Sequence, residues 1–287
     1  MSSHSSELAH NAGSPRIHLA VDNCFASKRW TEPHEWISEI IKTGLRCIET
    51  SADTEMDPFY HGADYISGWI AAVRRAQEAA GARVVNLYSG HGTYSTLGLT
   101  HTDAGVRERI LSQWLKPMVD TAHALEAGLG FFCHAFPQSV LADPERYEQE
   151  FLALAGNLAR YAHLYAEPAD SDPYQWLRAL AGWSPIVHLQ QTDGRTSAHQ
   201  PFNEKTNRSG IIEAPKLHSA IDTHYRNATP DTAMPPRVSD IYLTIEVFAA
   251  TAETPEQVRT KLRESVDYWR RYVPSDGQTV ETLIRRM

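Results

Sequence analysis

The feature that most constrains this chain is a recurring pair: a short apolar run ending in polar residues, then a stretch of helical period. IHLAVDNCF (17–25), LRCIETSAD (45–53), RVVNLYSGHG (83–92), GFFCHAF (130–136), PIVHLQQTD (185–193) and IYLTIEVFA (241–249) read as strands. Amphipathic stretches stand between most of them, the pattern of βα units around a parallel sheet. Thr31 to Thr43 sets Trp36, Ile37, Ile40 and Ile41 on one face and stops at Gly44. Asp143-Pro144 and Thr254-Pro255-Glu256-Gln257 mark helix starts, the second with capping-box spacing ahead of a last helix running to about Tyr272. Trp69, Trp114, Trp176 and Trp269 fall in helical patterns as packing residues.

The polar residues collect at the C-terminal ends of the strands: Asp22 and Asn23, Glu49 and Asp53, Ser89 and His91, His134, His188 with Gln190 and Asp193, and Glu246. A (β/α)8 barrel builds its site from those ends and the loops that follow. A doubly wound sheet uses one switch point between two or three strands, and no GxGxxG or Walker pattern supports it. Six polar-ended strands favour an α/β fold of the (β/α)8 TIM-barrel type. A barrel spends roughly 30 residues on each βα unit, yet only 47 residues separate Pro137 from Pro185. The barrel is therefore expected to be incomplete or distorted around its fifth and sixth βα units. Residues 1–15 read as a disordered leader and 16–287 as a single domain.

Charge and cysteine usage narrow the function classes. A formal net charge of −8 and a pI near 5.9 exclude bulk nucleic-acid binding, which needs a basic footprint. Cys24, Cys47 and Cys133 are odd in number and lack CxxC spacing, so no disulfide framework or structural zinc site is expected. The polar first residues and the absence of a run near 20 apolar residues predict no membrane span and a reduced, cytoplasmic setting.

VDNCFASKRWTEPHEW, NLYSGHGTY, GFFCHAF and VHLQQTDG resemble the xylose-isomerase-like sugar phosphate isomerase/epimerase family, and within it most the tetrulose-phosphate 3-epimerases of erythritol catabolism. The resemblance implies one divalent cation, Mn²⁺ foremost with Mg²⁺, Co²⁺ or Zn²⁺ as options. Its ligands would be a glutamate on the fifth strand, an aspartate on the sixth, a histidine on the seventh and a glutamate on the eighth. The last two map onto His188 and Glu246; the first two fall in the segment this chain is short of. Glu167, Asp170 and Asp172 lie near that gap but match no strand pattern.

The implied reaction is epimerisation of a small ketose phosphate through an enediolate, with Glu246 as one of two acid/base groups. A buried carboxylate in an apolar run costs several kcal/mol unless paired, and a cation would offset that cost at Glu246. Its rival is a structural ion pair, and a satisfied core position rivals a metal role for His188. His91, His134 and Glu49 are candidates for substrate binding. A polar loop, TDGRTSAHQPFNEKTNRSG, could close as a lid carrying His199 and Asn207. Lys28 and Arg195, with Arg29, Lys205 and Arg208, are candidates for a phosphate, against solvated surface charge as the commoner role. Two other functions share the pattern: decarboxylation of a 3-oxo sugar acid, and a degenerate barrel that binds sugar without turnover. An incomplete barrel would expose strand edges, which predicts a homo-oligomer.

Overall fold

A computed structural model describes residues 13–88, 101–130, 172–227 and 236–287. The parallel α/β organisation expected from the sequence is present. Two compact units divide the chain: one is Met1–Leu19, Pro168–Ile245 and Thr260–Met287, the other Ala20–Glu167 and Glu246–Arg259. Strand β1 (Arg16–Asp22) contributes to both.

In the second unit the end of β1 pairs in parallel with β2 (Cys47–Ser51), β2 with β3 (Arg83–Tyr88) and β3 with β4 (Gly128–Gly130). The β1/β2 register sets Ala20 beside Cys47, Val21 beside Ile48 and Asp22 beside Glu49. Helix α1 (Pro33–Ile41) starts at a capping box made by Glu32 and Glu35 with proline at its first position, and it buries Trp36, Ile37 and Ile40. Residues Ala52–Glu55 form a single turn, α2, directly after β2. Helix α3 (Ala63–Ala80) buries Ile66, Trp69 and Val73 and ends at Gly81, whose φ of +60° gives the left-handed cap that a side chain resists. Helices α4 (Ala104–Ile110) and α5 (Lys116–Leu125) are joined by a π-turn over Leu111–Leu115, just ahead of Pro117.

In the first unit β5 (Ile186–Leu189) lies parallel to β6 (Asp240–Ile245), with His188 opposite Thr244 and Leu189 opposite Ile245. The start of β1 lies alongside β6: the Arg16 backbone N–H donates to the Ser239 carbonyl at 2.9 Å and the Arg16 guanidinium grips Asp240. Helices α6 (Pro173–Leu180), α7 (Glu204–Asn207), α8 (Ala214–Asn227) and α9 (Pro255–Arg270) follow, α9 belonging to this unit from Thr260. The capping box predicted at Thr254 is present: its N–H donates to Gln257 Oε1 at 2.8 Å, and Gln257 N–H returns to the Thr254 hydroxyl at 3.3 Å. Phe202 and Trp269 meet edge to face at 5.2 Å in the core.

Three expectations change. The helix from Pro255 is not the last: a two-residue strand β7 (Gln278–Thr279) pairs antiparallel with β1, and α10 (Val280–Ile284) follows it. Ser14 and Pro15, read as part of a leader, accept hydrogen bonds from the N–H groups of Glu281 and Val280. Trp176 is 53% exposed rather than packed, and it stands at the rim of a cavity. Of the fourth predicted strand, 130–136, only Gly130 is described, as the last residue of β4; the rest of it, with Cys133, the helix start at Asp143 and the short fifth and sixth units, lies outside the described residues.

Candidate functional site

Three carboxylates are buried together in the second unit. Asp22 ends β1, and its Oδ1 accepts from the Cys24 N–H at 2.7 Å, bending the chain into the 3₁₀ turn Asn23–Ala26. Glu49, in register beside it on β2, accepts from the Asn86 side-chain amide at 2.5 Å. Glu246 follows the last residue of β6 and is buried. Carboxylate oxygens of Asp22 and Glu246 lie within 4.8 Å of each other. The Cys24 thiol reports their combined charge: burial first, then Asp22, Glu246 and Glu49 push its pKa well up. Carboxylate oxygens gathered in this way are hard donors of the kind that suit Mg²⁺ and Mn²⁺.

Asn23 stands next to this cluster and is fully buried. Its Oδ1 accepts from the Ser51 N–H at 3.0 Å, tying the end of β1 to the end of β2.

In the first unit His188 is half-buried and lines a cavity of about 360 Å³ with Tyr174, Trp176, Leu177, Val187 and Gln190. The loop after β5 is held by Gln191 rather than left loose. Its side-chain N–H groups donate to Asn207 Oδ1 at 2.9 Å and the Ile212 carbonyl at 3.0 Å, and its Oε1 accepts from the N–H groups of Thr192 and Ile212. Gln200 also pairs with Gln191 through the backbone.

The other predicted site residues fall as follows. Asn207 ends α7 and serves as that acceptor for Gln191. His199 sits at φ +45°, with its N–H on Gln190 Oε1 at 2.8 Å and its Nδ1 3.1 Å from the Ser197 carbonyl. Lys28 is exposed at φ +67°. The Arg195 side chain is 88% exposed and 3.8 Å from Asp193, and Arg208 pairs with Glu204. Arg29 donates to the carbonyls of Ala250 and Glu253, both at 2.6 Å, which makes it a loop anchor. His91 and His134 lie outside the described residues. Sequence reasoning noted Asp22 only as a polar strand end; the signal was the abrupt Asp-Asn after LAV, but nothing in it pointed to Glu246 as a neighbour.

No family model matches the chain. The D-erythrulose 1-phosphate 3-epimerase of Brucella abortus (strain 2308) is 38% identical over 56 residues, which is 20% of this chain and 18% of that protein. A solved candidate xylose isomerase from Rhodospirillum rubrum superposes with TM-score 0.61 at 19% identity, over 88% of this chain and 97% of its own. The D-allulose 3-epimerase of a Methylomonas species gives 0.52 at 13% identity, over 90% and 98%. The chain has the fold of these xylose-isomerase-like barrels.

Proposed function

From that shared fold we propose that the chain is a divalent-metal-dependent epimerase or isomerase of a small ketose, with a tetrulose phosphate as substrate. The observation that carries the proposal is the buried cluster of Asp22, Glu49 and Glu246 at strand ends. The short match to the erythrulose phosphate epimerase supports the finer substrate. The resemblance assigns the cation to His188 and Glu246, and Asp22, with a carboxylate oxygen within 4.8 Å of one on Glu246, would add a further oxygen donor; oxygen and imidazole donors of this kind suit Mn²⁺.

Bound there, the metal would act as a Lewis acid toward the carbonyl and hydroxyl oxygens of the ketose. Glu246 is the group that removes the proton next to the carbonyl, and burial keeps it out of competition with water. Glu49, held by Asn86, orients a substrate hydroxyl. Asp22 takes up part of the ligand role that falls to the fifth- and sixth-strand carboxylates in the resembled family. The enzyme would work on free small molecules in the cytoplasm, in erythritol catabolism, and as a homo-oligomer. No helix among the described residues is long and apolar enough to cross a membrane.

The test is deuterium uptake from D₂O into the carbon-bound positions of erythrulose phosphate with Mn²⁺ present. Wild type is expected to exchange, and Glu246→Gln to lose about 10²–10⁴-fold of the rate, the usual contribution of a positioned base. Exchange that survives unchanged in Glu246→Gln refutes the role of Glu246, and none in folded, Mn²⁺-loaded wild type refutes the epimerase.

A further inference from the structure

The Asn23 carboxamide is half used. Its Oδ1 accepts from the Ser51 N–H, and because a backbone N–H requires an oxygen acceptor, that bond also fixes which end of the amide is which. The Nδ2 end therefore points the other way, and it is buried with no hydrogen-bond partner among the described residues. A buried amide donor without a partner forfeits its hydration with no return, so an unused pair of N–H groups here needs an explanation.

Its surroundings supply one. Asn23 lies between Asp22, which precedes it, and the end of β2, where Ser51 is two residues past Glu49. The carboxylate oxygens of Asp22, Glu49 and Glu246 are hydrogen-bond acceptors. A ligand held there needs hydroxyl groups to donate to them and benefits from an oxygen that can accept. We propose that the Nδ2 group of Asn23 donates a hydrogen bond to a carbonyl or hydroxyl oxygen of a polyhydroxy ketone, which makes Asn23 a substrate-binding residue held in place by Ser51. This deepens the ketose reading of the same site and rests on it for the ligand's class. A buried water is the rival partner for Nδ2.

Asn23→Asp separates the two ends of the amide. It keeps an oxygen for the Ser51 N–H and removes the donor with almost no change of shape. The probe is erythrulose, which is neutral and so insensitive to the added charge, titrated calorimetrically into Mn²⁺-saturated wild type and variant. Amide hydrogen exchange at Ser51 reports whether the tie between β1 and β2 survives. The expected result is binding by wild type, binding weakened about tenfold or more in the variant, and unchanged protection at Ser51. Equal binding by both proteins assigns Nδ2 to water and overturns the proposal, and so does failure of wild type to bind.

Should Asn23→Asp not fold, the wild type alone decides. The Asn23 side-chain amide protons, observed by ¹⁵N NMR, are expected to shift and exchange more slowly on adding erythrulose, and an unmoved signal overturns the proposal. Deuterium uptake by wild type keeps the two claims apart. Uptake that is equal in Asn23→Asp leaves the epimerase standing and removes Asn23. Asn23-dependent binding without any uptake keeps Asn23 and removes the epimerase.

Discussion

Glu55 gives the sharpest prediction about stability. It ends the single turn α2 and is buried; its Oε2 accepts from Trp69 Nε1 at 2.6 Å, while its Oε1 has no partner among the described residues. Burial pushes its pKa up from 4.5 to about 8, Glu32 adds to the rise, and the indoles of Trp69 and Trp36 oppose it. Tyr65 is the other titratable group it touches electrostatically, and its own pKa is raised by burial first and then by Glu55. The folded state thus keeps a proton that the unfolded chain releases near pH 4.5, so this contribution to stability is full below pH 4.5 and is lost as pH rises to about 8. At about 1.4 kcal/mol per pH unit, the loss is about 3 kcal/mol by pH 7 and roughly 4 kcal/mol by pH 8, where half the folded molecules have ionised. Glu55→Gln keeps an acceptor for Trp69 and removes the charge. Urea unfolding of both proteins at pH 5, 6, 7 and 8, followed by tryptophan fluorescence, is expected to show the variant gaining on wild type at each step. With a slope of about 3 kcal/mol/M, the midpoints should separate by about 1 M between pH 4.5 and pH 7. Parallel pH profiles would refute a protonated Glu55.

His218 titrates with the opposite sign. It is fully buried on α8 beside Trp269, neither ring nitrogen has a hydrogen-bond partner among the described residues, and burial lowers its pKa to about 4, with the nearby Ala214 backbone acting in the opposite direction. The unfolded chain gains a proton near pH 6.5 that the folded one refuses, so about 3 kcal/mol is lost between pH 6.5 and pH 4. His218→Leu should flatten the acid limb of a thermal-midpoint profile and leave the alkaline limb unmoved. Gly210→Ala should cost about 1–3 kcal/mol: a Cβ there would stand 2.1 Å from Gln191 Cδ, and Gln191 cannot yield without breaking its hydrogen bonds to the loop. Limited proteolysis between residues 192 and 210 should quicken in that variant and not in Gly62→Ala, where a Cβ meets nothing. Asp22→Asn should raise the thermal midpoint in chelator, by easing repulsion within the carboxylate cluster, and abolish the rise that Mn²⁺ gives wild type. A wild-type midpoint indifferent to Mn²⁺ would refute a cation at Asp22.

What the sequence could and could not foretell follows from the range of the interactions involved. Strand positions and their polar ends were legible because alternation and β-branched runs are local: the predicted strands beginning at residues 17, 45, 83, 185 and 241 each overlap an observed one. The burial of Glu246 was legible for the same reason, since a carboxylate in IYLTIEVFA has apolar neighbours on both sides. Its neighbour Asp22 was not, because the two meet across 224 positions of chain, and only the sheet order that puts β6 beside β1 brings them together. Trp176 failed for a related reason: helical period shows that a side chain lies on a given face, but not whether another element covers that face. Gln191 shows the limit most plainly. It stands beside Gln190 in the polar end of VHLQQTDG, yet its amide is consumed by four backbone and side-chain groups 1 to 21 residues away. Asn23, equally polar and equally buried, keeps two N–H groups free of such partners. Residue type separates neither case from the other, and only the count of satisfied donors does, which is why Asn23 rather than Gln191 is the residue to test against a ligand.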